Sequence, residues 1–217
     1  MIRDVATILL TRVRAHLIVE SELTLIDCGL PGSAQSIRRA VAALGRSMDE
    51  VTRVICTHRH PDHAGSAREL AAAGLPIHMH EADAHGLKTS WVDVIRRPSR
   101  GRLFAAMTAS PPEVVPLEDG EILPALGGLH VIHTPGHTPG SVCLYGPRDR
   151  VLFVGDMLQA PGGRVTFANG VCSEDIVTAR RQVRRLATLD VKTIVFSHYP
   201  PLKDAARSML EGLAAKV

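Results

Sequence analysis

Between positions 57 and 65 the chain reads Thr57-His58-Arg59-His60-Pro61-Asp62-His63-Ala64-Gly65, which sets three imidazoles and a carboxylate side by side. The stretch follows a β-branched run ending at Cys56 and precedes a helical pattern over Ala64 to Ala73 that ends at Gly74. The fold must therefore deliver this segment from a strand end into a helix start. In an extended segment His58 and His60 project to the same side, so both can face one cation. Pro61 ends the extended run and turns Asp62 and His63 toward a second position nearby. The segment alone supplies parts of two cation sites, and such a fold must bring the missing ligands from elsewhere in the chain.

Three later segments can supply them. Thr134-Pro135-Gly136-His137-Thr138-Pro139-Gly140-Ser141 is a tight Gly and Pro turn after a strand pattern, and it presents His137 alone. Gly155-Asp156 follows the run Val151 to Val154 and offers a carboxylate able to bridge two cations. Ser197-His198-Tyr199 follows the run Thr193 to Phe196. Together His58, His60, His137, Asp156, Asp62, His63 and His198 form a nitrogen-rich ligand set joined by one carboxylate, which suits Zn(II), with Fe or Mn as alternatives. Of the other histidines, His78, His80 and His85 lack a Gly-rich turn and a partner carboxylate, and His130 and His133 read either as strand-surface residues or as supports behind the ligands. Cys28, Cys56, Cys143 and Cys172 stand too far apart for a C-x-x-C site. Cys56 reads as a buried strand residue, and the four thiols suit a reducing, cytoplasmic setting.

The remaining pattern is that of an α/β protein. Runs at Val5 to Leu10, Ala15 to Val19 and Leu23 to Ile26 read as an antiparallel meander. Ser33 is placed to cap a helix whose apolar positions Ile37, Ala40, Val41 and Leu44 share one face, with Gly45 ending it. Further strands are expected at Val54 to Cys56, Ile77 to Met79, Val114 to Leu117, Leu129 to His133, Val142 to Tyr145, Val151 to Val154 and Thr193 to Phe196. Helices are expected near Ser173 to Leu189 and Leu202 to Leu213. The stretch 81–110 is helical but interrupted at Pro98-Ser99-Arg100-Gly101, and Trp91, Phe104 and Met107 in it suggest a cap contributing substrate contacts. Arg96, Arg97, Arg100 and Arg102 in the same stretch could meet an anionic group, whereas Arg180, Arg181, Arg184 and Arg185 read as a solvated helical face. At 217 residues one domain over 1–217 is expected. The net charge of +3 and the 3% aromatic content give no support for a nucleic-acid partner. The short apolar run Ala6 to Leu10, interrupted by Arg12 and Arg14, speaks against a membrane span. A small-molecule substrate is the expected partner, and the sequence leaves the oligomeric state open.

The order H-x-H-x-D-H-A-G, T-P-G-H-T-P-G-S, G-D and a final His resembles the metallo-beta-lactamase fold superfamily over nearly the whole chain, with Leu25-Ile26-Asp27-Cys28-Gly29 resembling its D-x-G turn. The resemblance implies a four-layered αβ/βα sandwich with the site at the sheet edge. It implies that His58, His60 and His137 hold one metal, that Asp62, His63 and His198 hold the other, and that Asp156 bridges them. It also implies that Asp27 supports the metal loop from behind.

Such a metal pair makes a bridging hydroxide available at neutral pH for attack on a carbonyl. Asp62, Asp156 and Tyr199 are then the candidate catalytic residues, Tyr199 either as an oxyanion donor or as a tyrosine packed at a strand end. The presence of Asp156 departs from true beta-lactamases of this fold, and His60 departs from the flavodiiron relatives, which carry Glu there. The 19 residues after His198 (217 minus 198) leave no room for the C-terminal domain of full-length glyoxalase II. The reading is a compact hydrolase similar to the glyoxalase II-like thioesterases and the lactonases, cleaving a thioester, lactone or related carboxylic ester with two divalent ions. A mononuclear iron persulfide dioxygenase-like oxidoreductase and a phosphodiesterase of the same fold are the alternatives. Gly162-Gly163-Arg164-Val165-Thr166-Phe167 echoes only part of the dioxygenase pattern.

Overall fold

The computed structural model describes residues 4–96, 99–203 and 205–217. Its chain divides into two compact units, Met1–Leu117 and Glu118–Val217. In the first, β1 (Val5–Leu9), β2 (Arg14–Val19) and β3 (Leu23–Ile26) form the expected meander, and α1 (Ala34–Ala43) follows. Then come β4 (Val51–Ile55), α2 (Pro61–Ala64), α3 (Ala67–Ala72), β5 (Ile77–His80), α4 (Glu81–Gly86), α5 (Trp91–Arg96), α6 (Arg100–Met107) and β6 (Val115–Leu117). The six strands make one sheet in the order β1-β2-β3-β4-β5-β6, antiparallel as far as β3 and parallel from β3 onward. The sheet is most deeply buried at its centre, where β3 is buried at every position and β2 at its four inner ones. α1 lays Ala34, Ile37 and Val41 into a core shared with Leu17, Leu25, Val54 and Met79.

The second unit contains β7 (Ile122–Leu123), β8 (Leu129–His133), β9 (Val142–Gly146), β10 (Val151–Phe153), β11 (Leu158–Gln159) and β12 (Thr166–Phe167). α7 (Ile176–Leu186), β13 (Thr193–Val195), β14 (Leu202–Lys203) and α8 (Ala206–Ala214) complete it. Its main sheet runs β14-β13-β10-β9-β8-β7, with β10 and β13 the parallel pair, and β11 pairs with β12 apart from it. Ala179, Val183 and Leu186 of α7 and Ala206, Leu210 and Leu213 of α8 pack into a second core with Leu152, Ile194 and Phe196.

Three local expectations are corrected. Ser33 starts α1 without a side-chain cap, because its backbone is already helical (φ −74, ψ −14); its N–H goes instead to Ser66 Oγ at 2.9 Å. Leu202 and Lys203 pair with β13 before α8 begins at Ala206, so the last helix is shorter than its apolar pattern. Gly101 lies inside α6 and does not interrupt it, while Arg97 and Pro98 of that segment lie outside the described residues. Among the described residues no helix is long and apolar enough to cross a membrane.

Candidate metal centre

The ligand-bearing segments sit where strand ends release the chain. In the first unit β3 and β4 are parallel neighbours with Ile26 opposite Ile55, so the residues following each strand emerge side by side. Asp27 donates its N–H to the Ile55 carbonyl at 2.8 Å and takes a left-handed backbone (φ 60), which short polar residues tolerate best. That conformation turns its carboxylate onto the next loop. Asp27 Oδ1 accepts the Thr57 N–H at 2.8 Å and the Thr57 hydroxyl at 2.9 Å, and Asp27 Oδ2 accepts His63 Nδ1–H at 2.8 Å. Because the Thr57 proton goes to Asp27, Thr57 Oγ1 is left to accept Nδ1–H of His58 at 3.2 Å. One buried carboxylate thus fixes two imidazole tautomers, one directly and one through a hydroxyl, and both rings keep Nε2 as the lone-pair nitrogen.

The segment leading to His60 is a run of bends and not the extended stretch expected; His60 itself has extended φ/ψ (−64, 150), and Pro61 takes the first helical position of α2. The rings of His58 and His60 lie 4.7 Å apart and those of His58 and His63 4.0 Å apart. Asp62 Oδ2 stands 3.7 Å from His63 Nε2. His58, His60 and His63 are buried, while the Asp62 side chain is 31% exposed. The structure therefore gathers the four expected ligands of the first unit, together with Asp27, at one loop.

In the second unit the C-terminal ends of β8, β10 and β13 lie along one sheet edge, since His133 pairs with Val142 and Phe153 with both Leu144 and Val195. His137, Asp156 and His198 follow these ends. Asp156 turns one oxygen to each imidazole, with Oδ2 3.6 Å from His137 Nε2 and Oδ1 3.2 Å from His198 Nε2. Behind His137, Ser173 Oγ gives its proton to the Asn169 carbonyl at 2.7 Å and so accepts His137 Nδ1–H at 3.1 Å. This repeats the Thr57 arrangement. The turn carrying His137 is pressed onto α7: Gly136 (φ 130) has no room for a side chain, because a Cβ there would lie 2.6 Å from Ala179 Cα. Its carbonyl accepts the Asp175 N–H at 2.8 Å, and the His137 carbonyl accepts the Glu174 N–H at 3.0 Å.

Thr57 and Ser173 carry roles that sequence reasoning did not assign. Thr57 was legible in principle as the hydroxyl directly before His58, whereas Ser173 is 36 residues from His137 and gave no local signal. Tyr199 packs its ring 6.2 Å from that of Phe196, edge to face, against the second core. Two of the other histidines have structural work: His80 Nδ1 accepts the Ala82 N–H at the start of α4, and His133 Nε2 meets the Pro139 carbonyl at 2.8 Å. Of the cap residues, Phe104 sets its ring 4.8 Å from that of His60, while Trp91 and Met107 are about half exposed.

Residues 10–198 match the model of the metallo-beta-lactamase superfamily. The chain belongs to that family, and its fold class is the family's mixed α/β sandwich of the αβ/βα type. A metallo-beta-lactamase family protein from Thermus thermophilus has a similar structure, with a TM-score of 0.74 and 24% identity over 98% of this chain and 79% of that one. The uncharacterized protein YobT of Bacillus subtilis is 35% identical over 66% of this chain and 60% of its own length. The acyl-coenzyme A thioesterase MBLAC2 of Bos taurus is 33% identical over 54% of this chain, a match spanning 48% of the thioesterase. Family membership and the metallo-hydrolase relatives support a metal-dependent hydrolase of this superfamily, and the grouped imidazoles and carboxylates, with Nδ1 of His58, His63 and His137 tied back, have the donor chemistry that divalent cations need.

Proposed function

We propose that the protein is a dinuclear metal-dependent hydrolase that cleaves a thioester, with a lactone or related carboxylic ester as the neighbouring substrate class, and that residues 1–217 act as one catalytic domain. The observation that carries the reading is the disposition of Asp156, whose two oxygens face two different imidazoles, as a carboxylate shared by two cations requires. In this reading His58, His60 and His137 hold one ion, Asp62, His63 and His198 hold the other, and Asp156 serves both. The bound ions, Zn(II) by the nitrogen-rich donor set and Fe or Mn otherwise, supply a water of lowered pKa and a Lewis acid for the carbonyl.

The chain's own residues do the rest. Asp27, Thr57 and Ser173 hold the imidazoles in one tautomer. Asp62, reached by solvent, accepts at its carboxylate the proton that water loses as its oxygen attacks the acyl carbon. The C–S bond then breaks and the thiolate leaves with a proton, giving acid and thiol. The apolar surfaces of Trp91, Phe104 and Met107 form a wall for the acyl group, beside a hollow of about 380 Å³ lined by Thr89, Asp93, Arg96 and Arg102 that suits an anionic carrier. The name of the MBLAC2 relative favours an acyl-coenzyme A-like thioester within this class. Cys28, Cys56 and Cys143 are buried thiols, which fits a reducing cytoplasmic setting.

The test is metal stoichiometry and hydrolysis of a panel of thioesters, lactones and phosphodiesters, measured on wild type and Asp156→Ala from the same preparations. Two ions per wild-type chain with thioester turnover, and loss of at least one ion and nearly all turnover in the variant, are expected. One iron per chain with oxygen-dependent consumption of a persulfide would overturn the reading, as would a variant retaining both metals and near-wild-type rate.

A further inference from the structure

Arg59 stands between the two histidines His58 and His60 in a run of bends; their rings lie 4.7 Å apart, while the Arg59 side chain is directed to Asp83. There it is almost fully enclosed: the Arg59 side chain is 8% exposed and its partner Asp83, on α4, is 0% exposed. A buried guanidinium is costly to hold unless it is matched. Asp83 supplies the countercharge, with Oδ1 3.6 Å from Arg59 Nη1, and its Oδ2 accepts the Arg59 backbone N–H at 2.9 Å. The other side of the same residue is held as well, because the Arg59 carbonyl accepts the Thr108 hydroxyl at 3.0 Å from just beyond α6. Gly86 at the end of α4 makes room for the guanidinium; a Cβ there would lie 2.7 Å from Arg59 Cζ. Phe104 of α6 adds the ring contact to His60.

α4 and the residue just beyond α6 are thus fastened to the peptide groups on both sides of Arg59. Those are the peptide groups whose orientation sets where the His58 and His60 rings point. We infer that Asp83 and Thr108 are positioning residues for the His58–His60 pair, acting through the backbone of Arg59, so that the segment above the loop sets the metal affinity of the site as well as covering it. The inference rests on the proposed role of His58 and His60 as ligands.

The experiment compares wild type, Asp83→Ala, Asp83→Asn and Thr108→Val, each metal-free and folded by circular dichroism. Zn(II) affinity is read by competition with a chromogenic chelator, the Co(II) absorption spectrum reports ligand geometry, and thermal melts of the metal-free chains report stability separately. Asn can still accept the Arg59 N–H but leaves the guanidinium without its countercharge. Asp83→Asn should therefore melt lower than wild type yet bind Zn(II) within about 3-fold of it, whereas Asp83→Ala should lose about 10- to 100-fold in affinity and alter the Co(II) spectrum. Thr108→Val keeps shape and charge and should weaken Zn(II) by about 10-fold, the lower end of that range, with little change in the metal-free melt, which decides the matter if Asp83→Ala does not fold. Wild-type-like affinity in folded Asp83→Ala, or in Thr108→Val, overturns the positioning role while leaving the hydrolase reading intact. A wild-type chain that binds no Zn(II) or Co(II) overturns the ligand assignment, and the inference with it.

Discussion

Asp27 shows how much one side chain is asked to do. Its left-handed backbone costs about 1–2 kcal/mol for an L-residue, a strain persisting only where surrounding contacts over-determine it, and here three hydrogen bonds to Thr57 and His63 do so. Asp27→Ala removes the acceptor while leaving the strain, so Zn(II) affinity should fall by about 10- to 100-fold, and chelator competition on folded protein checks it. Asp27→Asn tolerates the backbone and should lie between the two. The thiols give a second residue-level test. Burial pushes Cys143 up to about 12, and Cys56 is held above the ordinary thiol range by its hydrogen bond with Cys28 and by burial. Both stay neutral in the folded chain, so the stability they contribute is complete below the unfolded thiol pKa of about 8.5 and is lost as pH rises toward their folded values. At pH 8 a disulfide reagent should modify Cys172 rapidly and Cys28, Cys56 and Cys143 only on unfolding; two or more fast thiols in native protein would contradict the packing.

Elements place the loops, and loops carry the chemistry. Gly136→Ala forces a side chain against the α7 backbone at a positive φ, so it should cost well over the roughly 1 kcal/mol of an ordinary substitution, seen as a large drop in the thermal midpoint. Trp91→Ala combined with Phe104→Ala should raise KM or reorder a substrate panel while both metals stay bound, because neither residue is a proposed ligand and the Asp83 and Thr108 bonds to Arg59 are left in place. An unchanged KM and ranking would return these helices to a purely structural role. The strands were legible because their apolar runs end at polar breaks such as Arg12 to Arg14 and Glu20 to Glu22, or at Gly and Pro as around β8 and β9, and the helix ends at Gly45 and Gly74 because a left-handed residue was needed there (φ 72 and 88). The two-residue strands β7, β11 and β12 were not, since a pair that short has no period to read. The site was legible where ligands cluster within a few residues, as from His58 to His63. Its supports were legible only in part: the D-x-G resemblance marked Asp27, but the bond from Thr57 to Asp27 spans 30 positions and that from Arg59 to Asp83 spans 24.

For the molecule as a whole, metal and stability are one equilibrium. An ion that binds the folded chain and not the unfolded one stabilises it by about 2.7 kcal/mol at a free concentration of 100 Kd. Stripping with a chelator should therefore lower the wild-type melting point, restoring Zn(II) should recover it, and Asp156→Ala should recover less. Cys172 offers a way to watch this. It is the one cysteine that the core does not enclose, and its neighbour in the chain is Ser173, the hydroxyl that steadies His137. A fluorophore attached at that sulfur would ride on the backbone of the His137 support, making the protein an optical gauge of its own metal occupancy, readable in a cuvette before a substrate has been found.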